Sequence, residues 1–305
     1  MTRLLDAEAT AAVLPYAPLA ESVGKTLARK ARGLVRCPPR LSLPLPDGGV
    51  LLLMPASDDS LAVAKLITVC PANPEKGLPL IIGEVVAMRA STGERLGLLD
   101  GPEVTARRTA AASLLAAQRL APNPDGPLLV MGAGVQAMSH AMAFCSGLGV
   151  GEVNVCSRSR EKAETLAGRL RSVGVRACAV ERPEDVLDRT PLIITATNSP
   201  APVIPAGVRP DAFIAAVGSF HPDRAEIPAE LVRRCHLYVD DLDAARTEAG
   251  DLILAGIDWS AVTPLERTGE PGAAHLAPQG PVLYKGVGCA ALDLAAAKLA
   301  FPERS

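Results

Sequence analysis

The sequence predicts an α/β chain in which a doubly wound parallel sheet is inserted into an α+β domain. Three features predict it. From residue 127 to 240 short apolar strands alternate with helical stretches, the order that builds a parallel sheet covered by helices. One of those strands runs directly into Gly132-Ala133-Gly134 and a helix. The first hundred residues instead read as helix followed by alternating strands joined by tight turns.

Residues 1–35 carry Ala11, Ala12, Leu14, Leu19, Val23, Leu27 and Ala31 at three- and four-residue spacing before Gly33, a helical pattern. Residues 40–54 alternate about Pro46-Asp47-Gly48-Gly49 and predict a hairpin. A third strand fits 62–70, a loop 71–79, and a further pair 80–89 and 95–99 about Ser91-Thr92-Gly93. From Thr105 the texture becomes alanine-rich helix, closed by Pro122-Asn123-Pro124-Asp125-Gly126, a punctuated boundary. Strands then fit 127–131, 152–157, 176–180, 192–196, 212–217 and 237–240, helices 137–149 and 160–173, and residues 290–299 form a last Ala/Leu helix that periodicity alone does not place.

Composition narrows the function. With 31 Lys+Arg against 33 Asp+Glu in 305 residues, the net charge is −2 and no strong field draws nucleic acid or anionic lipid. Small molecules or other proteins are the better partners, and 49% hydrophobic residues argue against disorder. No apolar run approaches the roughly 20 residues that span a bilayer. Asp6 and Glu8 interrupt the N-terminal segment where a secretory signal would be apolar, which predicts a cytoplasmic protein. Cysteines 37, 70, 145, 156, 178, 235 and 289 are widely spaced, without a C-x-x-C pair or a histidine at zinc-ligand spacing. They are expected to be buried reduced thiols, with no metal site.

The strand 128–131 followed by Gly132-Ala133-Gly134-Val135-Gln136-Ala137 is the pattern of a dinucleotide-binding turn. Gly132 permits the turn, Gly134 admits a pyrophosphate, and Ala137 keeps helix and strand close, so this is a Rossmann-type sheet with phosphates on a helix N-terminus. At the end of the next strand an NAD enzyme usually places an acid for the ribose hydroxyls, whereas this chain has Cys156-Ser157-Arg158-Ser159-Arg160. Ser157 and Arg158 suit a 2′-phosphate, which favours NADPH over NADH, while Arg160 reads as a solvated charge.

Arg40, Lys65 and Arg108 form a second constellation in the first third. Lys65 lies inside the apolar AVAKLITV, a costly place for a lysine unless an anion is near. Singly, each reads as a surface charge or a structural ion pair; converging, they would clamp a carboxylate.

A dozen short motifs in order, among them Pro39-Arg40, Met54-Pro55-Ala56, Lys65, Gly77-Leu78-Pro79, Thr92-Gly93, Leu99-Asp100-Gly101, Thr105-Ala106-Arg107-Arg108, Gly132-Ala133-Gly134-Val135-Gln136, Ser157-Arg158, Val217-Gly218-Ser219, Val239-Asp240-Asp241, Glu248-Ala249-Gly250-Asp251-Leu252 and Lys285-Gly286-Val287-Gly288, resemble the ornithine cyclodeaminase and mu-crystallin family over nearly the whole chain. The resemblance implies a substrate-binding and dimerisation domain (1–112 with 288–305), an inserted Rossmann NADP domain (113–287), a last helix returning to the first domain, and a homodimer built through the N-terminal sheets. It implies substrate-binding and catalytic roles for Arg40, Lys65 and Arg108. It also implies a cofactor site of Gly132, Ala133, Gly134, Val135, Gln136, Ser157, Arg158, Thr197, Val217 and Gly218, together with Arg108.

Where ornithine cyclodeaminases carry an aspartate that acts on the substrate's amino group, this chain has Phe220, which argues against cyclodeamination. The segments GSFHP, RAEIP and PPRLSLPLPDGG resemble instead the Δ1-pyrroline-2-carboxylate and Δ1-piperideine-2-carboxylate reductase branch. The implied reaction is NADPH-dependent reduction of these cyclic ketimines to L-proline and L-pipecolate. Lys65, His221 or water would supply the proton, and Asp240 and Asp241 would cap or pair locally. Reductive amination to, or dehydrogenation of, an open-chain amino acid, and a non-catalytic mu-crystallin-like binding protein, are the alternatives.

Overall fold

The computed structural model describes residues 3–269 and 280–302, and the chain divides into two compact units, Met1–Arg108 with Cys289–Ser305, and Thr109–Gly288. In chain order the first elements are β1 (Arg3–Leu5), α1 (Ala7–Val13), α2 (Tyr16–Ala31), β2 (Leu41–Pro44), β3 (Val50–Ser57), β4 (Leu61–Val69), β5 (Ile81–Arg89), β6 (Arg95–Asp100) and α3 (Gly101–Leu120). There follow β7 (Leu128–Met131), α4 (Val135–Leu148), β8 (Glu152–Cys156), α5 (Arg160–Ser172), β9 (Arg176–Val180), β10 (Leu192–Thr195), β11 (Phe213–Ala216), α6 (Ala229–Val232), β12 (His236–Val239), α7 (Leu242–Glu248), α8 (Gly250–Ala255), β13 (Val262–Pro264), β14 (Val282–Lys285) and α9 (Ala290–Ala300).

The first unit is a six-stranded sheet in the order β1-β6-β5-β4-β3-β2, antiparallel except for the β1–β6 pair. One continuous helix over 1–35 does not form: β1 precedes it, and Pro15, extended at φ −61° and ψ 143°, separates α1 from α2. Proline lacks the N–H an interior helical turn requires, so the apolar spacing continues while the helix does not. The chain begins α3 at Gly101, before the alanine-rich stretch, because the Asp100 carboxylate accepts from Glu103 N at 2.7 Å and caps the first turn. Period-two burial along β4 turns Leu61, Val63, Lys65 and Ile67 to one face, and α9 packs on β3, β4 and α2 on that side.

The second unit is an eight-stranded, wholly parallel sheet, β13-β12-β14-β11-β10-β7-β8-β9. Strands β7, β10, β11 and β14 are buried at every residue, as expected for parallel strands covered on both faces. The strand order reverses between β7 and β10, the point in such sheets outside whose carboxyl ends ligands bind. Strands β13 and β14 and helices α6, α7 and α8 go beyond the elements predicted.

All seven cysteines are free, but only Cys156 and Cys289 are buried, and Cys178 is exposed on β9; its edge position at the end of the sheet leaves one face to solvent. No helix among the described residues is long and apolar enough to cross a membrane.

Candidate active site

The first unit gathers the predicted cations. Lys65 is fully buried on β4, opposite Met54 of β3 and Val85 of β5. Its Nζ donates to Asp293 Oδ1 at 3.0 Å, and Arg108 Nε of α3 lies 3.2 Å from the same oxygen. Asp293, in the first turn of α9, is also fully buried. Arg40, half-buried just before β2, adds its charge to the field at Lys65. Burial and the neighbouring Arg108 push the Lys65 ammonium down to about 8, with Asp293 opposing.

Lys65 and Arg108 therefore share one carboxylate, with the charge of Arg40 acting on Lys65. Arg108 Nη1 is buried with no hydrogen-bond partner, and so is Asp293 Oδ2. An orphaned buried guanidinium N–H carries a desolvation penalty of about 1–3 kcal/mol or more, which a bound anion removes. The cluster suits a small carboxylate held by paired guanidinium donors.

In the second unit β7 ends at Gly132, whose φ of +113° and whose missing Cβ, which would stand 2.5 Å from the Ala196 carbonyl oxygen, both require glycine. Gly134 begins α4 with no side-chain cap, and a Cβ there would meet nothing within 4 Å, so the space beside the helix N-terminus is open. Ala133 and Gln136 are half-buried, Val135 is 70% exposed, and Ala137 is fully buried against the sheet. No acid occupies the first turn. Open backbone donors of this kind fit a pyrophosphate. Beyond β8, Ser157 is half-buried and Arg158 exposed; Ser159 caps α5, and Arg160 pairs with Glu181.

Thr197, Val217 and Gly218 follow β10 and β11 at the same end of the sheet. Thr197 N and Oγ1 both donate to Glu226 Oε1, at 2.7 and 2.8 Å, and Gly218 N donates to Glu226 Oε2 at 2.7 Å. Val217 N donates to Thr195 O at 2.9 Å. A Cβ on Gly218 would lie 2.2 Å from Thr197 O, so the two loops touch only because the residue is glycine. Burial pushes the Glu226 carboxyl up, opposed by Lys285. Asp251 accepts from Glu226 N and Ile227 N at 2.6 and 2.9 Å and pairs with Lys285 Nζ at 2.7 Å; Lys285 in turn donates to Ser219 O at 2.7 Å.

Asp240 does more than the local capping predicted for it. It accepts from Val287 N and Gly288 N at 3.1 and 2.6 Å and ties the end of β12 to the segment after β14, because those strands are sheet neighbours. Asp241 does cap locally, accepting from Ala244 N at the start of α7. His221 is exposed and stacks on Phe220 with ring centroids 4.6 Å apart; it belongs to the second unit, whereas the cation cluster belongs to the first. Arg108, assigned to both substrate and cofactor, has its guanidinium on Asp293. Sequence reasoning assigned no role to Asp293 in the first unit's cation cluster, nor to Glu226, Asp251 and Lys285 in the second unit, although the last three stand inside motifs that carried the resemblance.

The ornithine cyclodeaminase/mu-crystallin family model matches residues 2–303. Delta(1)-pyrroline-2-carboxylate reductase 1 of Burkholderia multivorans is 42% identical over 98% of this chain and 95% of its own length. The Delta(1)-pyrroline-2-carboxylate/Delta(1)-piperideine-2-carboxylate reductase of Azospirillum brasilense is 40% identical over 97% and 94%. The solved Delta(1)-pyrroline-2-carboxylate reductase of Thermococcus litoralis, in complex with NADH and L-proline, is similar with a TM-score of 0.89 and 28% identity, over 97% of this chain and 95% of that one.

Proposed function

We propose that this chain, which belongs to the ornithine cyclodeaminase/mu-crystallin family, is an NAD(P)H-dependent imine oxidoreductase that reduces cyclic ketimines bearing a carboxylate. Δ1-Pyrroline-2-carboxylate and Δ1-piperideine-2-carboxylate are its substrates, L-proline and L-pipecolate its products. The carrying observation is the buried cluster of Lys65, Arg108 and Asp293 beside Arg40, with Arg108 Nη1 lacking a partner. One added carboxylate brings that charge closer to balance and satisfies the orphaned donor.

A ketimine carbon becomes strongly electrophilic when its nitrogen is protonated. Arg40 and Arg108 bind the substrate carboxylate, which orients the ring, and Lys65 either shares that contact or delivers the nitrogen's proton. When bound, the reduced nicotinamide supplies the hydride to the ring carbon. Gly132, Ala133, Gly134, Val135 and Gln136 hold the pyrophosphate at the α4 N-terminus, and Thr197, Val217 and Gly218 shape the nicotinamide end. NADPH is the preferred cofactor, because the chain presents Ser157 and the exposed Arg158 after β8 and no carboxylate there.

The protein is a homodimer joined through the first unit's sheet. Leu41 and Leu43 of β2, Leu66 of β4 and Ile82 of β5 are 56%, 51%, 48% and 45% exposed. Strand register puts all four on the face opposite Lys65, an apolar array that a second copy would cover. Seven free thiols suit a reducing cytoplasm. The deciding experiment follows loss of reduced-nicotinamide absorbance with both ketimines, using NADPH and NADH, in the wild type and in Arg158→Ala. Fast oxidation that favours NADPH, with the preference reduced in Arg158→Ala, supports the reading; absence of oxidation despite NADPH binding overturns it.

A further inference from the structure

The cluster holds a division of labour that the reductase reading leaves open. Asp293 comes from α9, more than two hundred residues after Lys65, yet its Oδ1 is shared between Lys65 Nζ at 3.0 Å and Arg108 Nε at 3.2 Å. The charged groups facing Lys65 are Arg108 from α3, Asp293 from α9 and Arg40 from the segment before β2. Only one of them is an anion. The ammonium of Lys65 is already matched to a carboxylate, whereas Arg108 Nη1 is buried without a hydrogen-bond partner.

We propose that Asp293 is a positioning residue that holds Lys65 as the proton donor to the ketimine nitrogen and leaves the substrate carboxylate to the guanidiniums of Arg108 and Arg40. The inference rests on the ketimine reductase reading. A carboxylate competing for Lys65 would have to displace Asp293 or crowd it, and both anions would then share one buried ammonium. The arginines provide forked donors suited to a carboxylate.

The step balances. The ring nitrogen takes a proton from Lys65 Nζ: an N–H bond forms, the Nζ–H bond breaks, and a neutral amine remains to be reprotonated from water. The C=N bond is reduced by the hydride and the reduced nicotinamide is oxidised. Asp293 exchanges no proton; its charge keeps Lys65 protonated against two guanidiniums, which is where a lysine lowered to about 8 can both hold and release a proton near neutral pH.

The test uses Asp293→Asn, which keeps the shape and removes the charge. Loss of an anion at this distance lowers a lysine pKa by about 1 to 3 units. The basic limb of the kcat/KM profile should move down by that amount, so that the loss relative to wild type grows with rising pH. Asp293→Glu should keep the limb near its wild-type position. The Lys65 ammonium is titrated independently by carbon-13 NMR of the lysine Cε in both proteins without substrate, and the same downward shift is expected in Asp293→Asn. A uniform loss at every pH with an unmoved Lys65 titration overturns the proposal, as does a limb that moves equally in Asp293→Glu. If the wild type reduces no ketimine, the reductase reading fails, while the NMR titration still decides whether Asp293 sets the charge of Lys65. If Asp293→Asn does not fold, an Asp293→Glu protein whose Lys65 titrates as low as a lysine lacking an anion overturns it.

Discussion

Glu226 Oε1 accepts both donors of Thr197, the main-chain N–H at 2.7 Å and the hydroxyl at 2.8 Å, while Oε2 takes Gly218 N at 2.7 Å. One buried carboxylate thus fixes the loops after β10 and β11, and those N–H groups are spent inside the protein. Glu226→Gln keeps the size but turns an amide NH2 toward one of the donors, leaving a buried N–H unpaired at a cost of about 1–3 kcal/mol. NADPH should bind about tenfold more weakly by fluorescence titration, and Tm should fall. An unchanged Kd with a lowered Tm would assign Glu226 to stability alone.

The clamp makes a second prediction. A hydrogen bond to a charged group contributes roughly 1.5–3 kcal/mol, so Arg108→Ala and Arg40→Ala should each lower kcat/KM for the ketimine by about 10- to 100-fold. Arg108→Lys should recover only part, because the forked geometry is lost. Arg40→Ala should leave NADPH binding largely intact. Steady-state kinetics beside cofactor titration separate these effects, and wild-type kcat/KM in both alanine variants would refute the clamp.

These two predictions differ in how far the sequence foretold them. Lys65 was legible because a lysine at a core-facing position of an alternating strand stands out, and Gly132 to Ala137 because each position has a backbone reason. Asp293 was not: an acid in an Ala/Leu helix looks solvated, and only packing of α9 on β4 buries it. Strand β14 is four residues without a period, and its place between β11 and β12 is a tertiary fact. Pro15 was available to break the first helix, but the apolar spacing runs through it unbroken. Glu226 and Asp251 act on main-chain N–H groups of other loops, a pairing that spacing along the chain does not encode.

The exposed face of the first unit makes a third. Ile82→Lys or Leu66→Lys would place an ammonium within the apolar array of β2, β4 and β5. In a homodimer formed there, burying that charge unpaired is costly, and sedimentation velocity should show a shift toward monomer at equal concentration. A wild-type protein that sediments as a monomer, or a dimer indifferent to both substitutions, would place the interface elsewhere.

His140 makes the last. It is fully buried in α4; its Nδ1 donates to Gln136 O at 2.7 Å, so the neutral ring leaves Nε2 to accept from Ser113 Oγ at 3.0 Å. Burial pushes its pKa down from 6.5 to about 4, against the raising effect of the Gln136 carbonyl. Between these values the unfolded chain binds a proton that the folded one refuses, so stability falls as pH drops from about 6.5 to about 4, by about 1.4 kcal/mol per pH unit at most. Urea unfolding at pH 7 and pH 5 should show that loss in the wild type and a smaller one in His140→Gln; parallel losses would clear His140 of the effect.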